Sequence, residues 1–425
     1  MNLAPRSVVV LACIVAFTAL PLTARAADGK ETKTGQWPVG KSYSIKGATV
    51  HLSAPVLVAR KPMPLDKNQA TDRDLSGSYL WYPQIAKHSN GELVAIIRLA
   101  ADNLEVDADA PIGFCWSKDG GLTWSDVEAR NKGQGYVNLM GHDGNLLHLP
   151  YILYNDGKGS LRGPLNVISK GSRKVEFVAD GVEITGLTGK PVVAFVPPED
   201  IAAAAKTNQS GFYFDGQVAM LRDGKTFLTA LYGVYEGDKR SRLLCAESTD
   251  GRKWIIRSTV VDSSVNLGGT WWSNSENAIC RLADGRLMCI FREDTVTYGQ
   301  CFSDDDGKTW SQPVAMGLPG HAEPGTIVMA DGTVVLTGGR PENYLWFNND
   351  GTGTGWQEIN TFRHHDQLVP SGENFDPAKR VGGTSSYTEI IAVGPNELLC
   401  IYDCYTKDNH FGIYIQRATI DKTAN

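Results

Sequence analysis

Residues able to do chemistry stand along this chain singly or in pairs. Asp102, Asp107 and Asp109 share one stretch, Glu276 precedes Arg292 by 16 residues, Arg340 follows Gly338-Gly339, and Tyr387 follows Ser385-Ser386. A carboxyl group can move a proton, a tyrosine hydroxyl can attack as a nucleophile, and an arginine can grip a carboxylate through two hydrogen bonds. Each also has an ordinary structural use: Tyr387 as a strand aromatic, Glu276 as the cap of a hairpin end, the two arginines as surface ion-pair partners. Trp81, Tyr82, Trp271 and Trp272 suit either stacking on a sugar ring or packing in a core. His142 and the segment His321-Ala322-Glu323-Pro324 offer proton transfer by histidine. No C-x-x-C or H-E-x-x-H spacing occurs, so neither a metal nor a cofactor is expected.

What positions these residues is a repeat. Ser117-Lys-Asp119-Gly-Gly121-Leu-Thr123-Trp124 and Ser303-Asp-Asp305-Asp-Gly307-Lys-Thr309-Trp310 agree at every position of S-x-D-x-G-x-T-W. A shorter copy is Ser248-Thr-Asp250-Gly251-Arg-Lys-Trp254, and a degenerate one runs from Asn348 through Asp350 to Trp356. The starts are 131, 55 and 45 residues apart, so the first interval spans about two repeats. The residue types describe a hairpin turn: Ser and Asp tie up loop N–H groups, Gly supplies positive φ, and Trp plugs the apolar space beneath. These boxes are read as staples of the fold, not as ligand contacts.

An apolar strand precedes each of the first three boxes, at 112–116, 243–246 and 299–302. Ahead of these lie Asn90-Gly91, Asp223-Gly224 and Asp284-Gly285, and Asp331-Gly332 precedes the fourth, each a hairpin turn between strand-like runs such as 287–291 and 333–337. Four-stranded meanders follow, at 78–128, 135–185, 212–262, 274–316, 322–362 and 384–420. Radial repetition of such units is an all-β, six-bladed β-propeller of antiparallel blades. The strand 54–59 is expected to complete the last blade and close its edge. Residues 186–211 read as an insertion within this one domain.

Composition bounds the rest. Among 425 residues, 42% hydrophobic side chains are ample for a core, and 45 Gly, 10 Trp and 15 Tyr favour turns and aromatic strands. The net charge of −6, with no basic run, argues against nucleic acid. Residues 1–26 read as a signal peptide: Arg6, an apolar run from Val8 to Leu20, and Ala24-Arg25-Ala26 for cleavage. The expectation is a periplasmic or secreted protein of charge −8, without a membrane anchor once cleaved; residues 27–425 form the propeller, and its oligomeric state stays open. Cys115, Cys245 and Cys301 occupy one strand position in three repeats and read as buried thiols. Cys280 and Cys289 are equidistant from Asp284-Gly285, which would place them face to face, where an oxidising compartment permits a bond.

Repeated aspartate boxes in an exported six-bladed propeller resemble the sialidase superfamily, over nearly the whole mature chain. The hairpin from Ser275-Glu276 to Phe291-Arg292 is similar to the one that begins there with a catalytic Glu and ends with a substrate Arg. Arg340 resembles a second substrate arginine, and Ser385-Ser386-Tyr387 resembles the strand carrying a tyrosine nucleophile. The resemblance implies a retaining exo-glycoside hydrolase acting on the terminal, acidic or neutral sugar of a glycan. In it Glu276 activates Tyr387, Arg292 and Arg340 hold the substrate, and Asp109, or else Asp107, is the acid. A neutral tyrosine suits a sugar bearing a carboxylate at its anomeric carbon, which would repel a carboxylate nucleophile. One departure stands out: where the family has its first substrate arginine, this chain reads Trp81-Tyr82-Pro83. Arg98 or Arg73 could assist there. Two other functions stay open: a non-catalytic glycan-binding propeller, which needs no contact between Tyr387 and Glu276, and a lyase or hydrolase of uronic-acid glycans working through histidine.

Overall fold

The computed structural model describes residues 35–60, 80–99, 111–130, 133, 135–155, 158–192, 211–269, 273–293, 297–320, 322–340, 342–369, 384, 386–405 and 411–423. Nearly all of their regular structure is antiparallel β. Three sheets are simple four-stranded meanders in chain order: Trp81–Lys87, Leu93–Arg98, Ile112–Ser117 and Glu128–Arg130; Ser275–Arg281, Leu287–Glu293, Thr297–Ser303 and Val314–Ala315; Gly325–Val328, Val334–Gly338, Tyr344–Asn348 and Gln357–Asn360. Their second strands read as largely apolar runs, as in Leu93-Val-Ala-Ile-Ile-Arg98, because both faces are covered and every residue of these strands is buried.

Two meanders expected to be separate are fused into one eleven-stranded sheet. Val175–Thr185 and Lys253–Val261 run parallel and pair over Glu183–Thr185 and Lys253–Ile255, while Ile152–Asn155 bridges Leu161–Ile168 and Gly211–Phe214. In the last sheet, Val56–Arg60 pairs with Phe411–Lys422, as the strand at 54–59 leads one to expect. The hairpin Lys41–Ile45 with Ala48–Leu52 also pairs there, which the sequence reading missed. It missed too the helix Thr361–Leu368, whose N-cap Asn360 accepts from the Arg363 N–H at 2.8 Å. Of the expected insertion at 186–211, Pro191–Val192 pairs with Phe227–Tyr235, and 193–210 lie outside the described residues.

The first strands of these meanders converge. Ile85, Asn138, Gln217, Ile279, Thr326 and Ile390, all on or beside them, line one cavity of about 420 Å³. The box motifs sit in the turns between third and fourth strands. At the box beginning at Ser303, Asp305 accepts from the N–H groups of Lys308 and Thr309 at 3.0 and 2.9 Å and from the Ser303 and Thr309 hydroxyls at 2.9 and 2.7 Å. Asp119 and Asp250 repeat the pattern, and the indole N–H of Trp124 and of Trp254 donates to the box glycine carbonyl at 3.0 Å.

The hairpin turns correct the cysteine expectation. Leu282 N–H donates to Arg286 O and Gly285 N–H to Leu282 O, so the loop is three residues with a glycine bulge, and its axis falls on Asp284. Every cross-strand pair shifts by one: Cys280 opposes Met288, and Cys289 opposes Ile279. Cys280 and Cys289 therefore do not face each other, and both are free buried thiols, as are Cys115, Cys245 and Cys301.

The box aspartates generate a stability prediction. The Thr309 backbone N–H, aided by the hydroxyls, holds Asp305 down at about 2. A carboxylate so lowered stabilises the fold above its unfolded value near 4, and that contribution is lost as pH falls through about 2. Asp305→Ala should lower Tm by about 2–4 °C at neutral pH, while Asp304→Ala, on the exposed side of the same turn, should leave it unchanged; thermal unfolding followed by circular dichroism reads both.

Candidate active site

The site begins with an irregularity. Ser275 pairs with Arg292 and the next pair is Asn277 with Phe291, so Glu276 is the extra residue of a β-bulge. A bulge re-aims one side chain off the strand's alternation. Glu276, only 4% exposed, meets Arg292, which is 7% exposed and whose Nη1 donates to both carboxylate oxygens at 3.0 Å. From another sheet comes Tyr387, immediately before Thr388–Gly394, and its hydroxyl donates to Glu276 Oε1 at 2.5 Å. That separation belongs to charge-assisted O–H···O⁻ bonds. Tyr387, Glu276 and Arg292 thus form one connected unit.

Arg340 completes one side. Its guanidinium carbon lies 5.4 Å from the Tyr387 ring centre, a cation–π distance. It is delivered by Gly338 and Gly339, both at positive φ, where a side chain would come within 2.3 Å of the Tyr298 hydroxyl and 2.5 Å of the Tyr344 ring. On the other side, the Tyr82 ring centre is 4.3 Å from that of Tyr387. Tyr82 occupies its own bulge, between the Trp81–Arg98 and Gln84–Ile96 pairs, at φ +47°. Among the described residues, four non-glycine residues have positive φ, and three of them, Tyr82, Asn274 and Ser386, stand at or just before the inner strands that carry this site. Such strain persists only where the surroundings enforce it and gathers at functional sites.

Arg98 is buried, its guanidinium carbon 5.8 Å from the Tyr82 ring centre. Beyond Tyr82 a row of buried tyrosines continues: Tyr136 at 5.7 Å from Tyr82, Tyr151 at 4.6 Å from Tyr136, and Tyr213 at 5.0 Å from Tyr151. The Tyr151 and Tyr232 hydroxyls share a 2.7 Å hydrogen bond, and burial pushes both phenols well above their ordinary range. Two further buried carboxyl groups follow: Asp215, after Gly211–Phe214, and Glu323, before Gly325–Val328. They lie within interaction range of each other and of Glu276. Burial raises Asp215 to about 8 and Glu323 well above the carboxylate range. Sequence reasoning passed over this pair, since 108 residues separate its members and only the pairing makes them chemical.

Of the residues singled out by sequence, Tyr387, Glu276, Arg292, Arg340 and Tyr82 are brought together. Asp102, Asp107, Asp109, Arg73, Trp271, Trp272, His321 and Ser385 lie outside the described residues, and of Trp81 only the backbone is described, in its strand. His142, expected at an inner-strand position, is instead exposed near a hairpin turn. There it stacks on Phe227 at 4.5 Å and bonds Lys225 O at 2.7 Å, which removes it from the histidine-based alternative. Among the described residues no group of three or more His, Cys, Asp or Glu is placed to hold a metal ion.

No family model matches this chain, and no curated protein matches it by sequence. Solved structures match it in fold. A protein of unknown function from Dyadobacter fermentans is 18% identical with a TM-score of 0.61, the match covering 88% of this chain and all of that one. An α-L-arabinofuranosidase of Fusarium graminearum, solved with arabinobiose, is 11% identical at a TM-score of 0.54 over 87% of this chain and 98% of its own. An α-L-arabinanase of Penicillium chrysogenum, also with arabinobiose, is 12% identical at 0.51 over 86% and 98%. At such identities the likeness is one of fold: an all-β, propeller-like architecture that these glycoside hydrolases share.

The geometry makes Arg292 the counter-charge of a buried carboxylate. Removing one partner of a buried pair leaves the other unmatched and costs about 3–5 kcal/mol. Arg292→Met should lower unfolding free energy by that order, and Arg292→Met/Glu276→Gln should recover part of it. Urea denaturation reads both, and a loss below about 1 kcal/mol would show the pair to be no more than a surface bridge.

Proposed function

We propose that this chain is an exported, six-bladed propeller glycoside hydrolase of sialidase-like type, removing a terminal sugar from a glycan with retention at the anomeric carbon. The observation that carries the reading is the 2.5 Å hydrogen bond from the Tyr387 hydroxyl to Glu276. A glycan-binding propeller would need aromatics and arginines but not this contact. Support for six blades comes from the inner strands, which line one cavity from every sheet. Export rests on the apolar run and cleavage pattern of residues 1–26.

In the first half of the reaction the Tyr387 oxygen bonds the anomeric carbon while its proton passes to Glu276. The bond from that carbon to the leaving oxygen breaks, and the oxygen takes a proton from Asp109. Water then attacks the same carbon, giving a proton to Asp109, and the Tyr387 oxygen leaves and recovers its proton from Glu276. Arg292 keeps the Glu276 carboxylate aimed at the phenol, and Arg340 stands over the ring where negative charge gathers on the phenol oxygen. Tyr387→Phe should lower kcat by several orders of magnitude with Tm unchanged, measured on a panel of nitrophenyl and methylumbelliferyl glycosides. Near-normal turnover by that variant would remove Tyr387 from the chemistry.

Specificity follows from the Tyr82 position. An arginine there would give a substrate carboxylate a bidentate partner, whereas Tyr82 offers a ring packed on Tyr387. Ordinary sialosides should be cleaved weakly or not at all, and another terminal sugar better. Efficient sialoside turnover that Tyr82→Arg does not improve would contradict this.

A further inference from the structure

The strands of Tyr387 and Tyr82 meet twice, once through their rings and once through a carboxyl group that the proposed reaction leaves unused. Glu389, in Thr388–Gly394, stands two residues beyond Tyr387 and so falls on the same face of that strand. Its Oε2 accepts from the Ile85 N–H at 2.7 Å. Among the described residues Trp81–Lys87 pairs on one side only, with Leu93–Arg98, so half of its N–H groups point away from its own sheet. Ile85 presents one of these to Glu389. The Gln84 amide, oriented with its nitrogen toward acceptors, donates to the same Glu389 oxygen at 3.1 Å and also to Tyr136 O. One hydrogen-bonded chain therefore joins the three segments whose rings pack together, Tyr387 on Tyr82 at 4.3 Å, Tyr82 on Tyr136 at 5.7 Å and Tyr136 on Tyr387 at 6.4 Å.

Both joined strands start from strained backbone: Tyr82 lies at φ +47°, and Ser386, just before Tyr387, at φ +67°. A side-chain-bearing residue keeps such a φ only where its surroundings enforce it. Ring packing lets two strands slide, whereas a hydrogen bond fixes distance and direction together. We propose that Glu389 is a positioning residue, which ties the strand of Tyr387 to the strand of Tyr82 and so holds the Tyr387 hydroxyl within reach of Glu276. The tie needs an acceptor and no charge. Burial raises Glu389 to about 8, against the Ile85 N–H, which lowers it, so at neutral pH the group is a carboxylic acid whose carbonyl oxygen still accepts. Glutamine offers the same acceptor at that place, and leucine fills similar space with none. The role in catalysis rests on the function proposed above; the tie between the strands does not.

The tie is tested without substrate, by amide hydrogen exchange read in peptide mass spectra. The segment holding Ile85 should exchange about tenfold faster in Glu389→Leu than in the wild type, and Glu389→Gln should keep the wild-type rate. Equal rates in the wild type and Glu389→Leu overturn the tie. The positioning role is read on whichever arylglycoside the wild type cleaves fastest. Glu389→Leu should lower kcat about 10- to 100-fold, the scale of a reacting group displaced by about an ångström. KM should hold, because Arg292 and Arg340 are untouched, and Glu389→Gln should restore most of kcat. An unchanged kcat in folded Glu389→Leu, a loss confined to KM, or no recovery in Glu389→Gln overturns the role. Should Glu389→Leu fail to fold, Gln84→Met decides both points: faster exchange at Ile85 and a lower kcat at constant KM are expected, and the absence of either overturns the claim it reads. If the wild type cleaves no glycoside, the proposed hydrolase fails and the positioning role with it, while the exchange rates still decide the tie.

Discussion

The negative charge of Glu276 has to be matched where almost no water reaches it, and the rest of the site is arranged around that need. Arg292 supplies the counter-charge from the neighbouring strand of the same hairpin, so the pair is set by local register. Tyr387 supplies a hydrogen bond from a different sheet, so the second contact depends on how sheets meet. A carboxylate held by one arginine and one phenol has its orientation and its proton acceptor oxygen fixed before any ligand arrives, which is the condition for efficient general-base chemistry.

Backbone strain follows from the same arrangement. Inner strands converging on one centre leave little room at their first residues, and three side chains are accommodated by turning Tyr82, Asn274 and Ser386 into the left-handed region. Each such residue costs of order 1 kcal/mol or more, offset by a core in which the middle strands are buried on both faces. The box turns contribute by satisfying their own loop N–H groups, so that the outer ends of the sheets need no help from the centre. Stability is thus supplied at the periphery, and chemistry is concentrated where the strands begin.

Much of the fold was legible because its signals are local. Ser, Asp, Gly, Thr and Trp within one box bond to each other, and turn glycines mark the hairpins whatever surrounds them. What was illegible is non-local or a matter of one residue. The glycine bulge at Gly285 moves the hairpin axis by half a step and separates Cys280 from Cys289. The parallel pairing of 183–185 with 253–255 and the docking of the 41–52 hairpin depend on distant partners. In the site, Glu276, Arg292, Arg340 and Tyr387 were recognisable only as a set resembling a known order, since each alone passes for a packing residue. The Asp215–Glu323 pair gave no sequence signal, because neither residue is unusual until the other is beside it.

The central claim is that Tyr387, poised on Glu276, is the atom-bonding group of this site. The most direct measurement is intact-protein and peptide mass spectrometry after mixing with a series of fluorinated glycosyl fluorides, reagents that trap a glycosyl-enzyme. A single glycosyl adduct on the peptide containing Tyr387, absent from Tyr387→Phe and slowed in Glu276→Gln, is the predicted result. An adduct on the Asp215 or Glu276 carboxyl group, or turnover with inversion and no adduct, would contradict it.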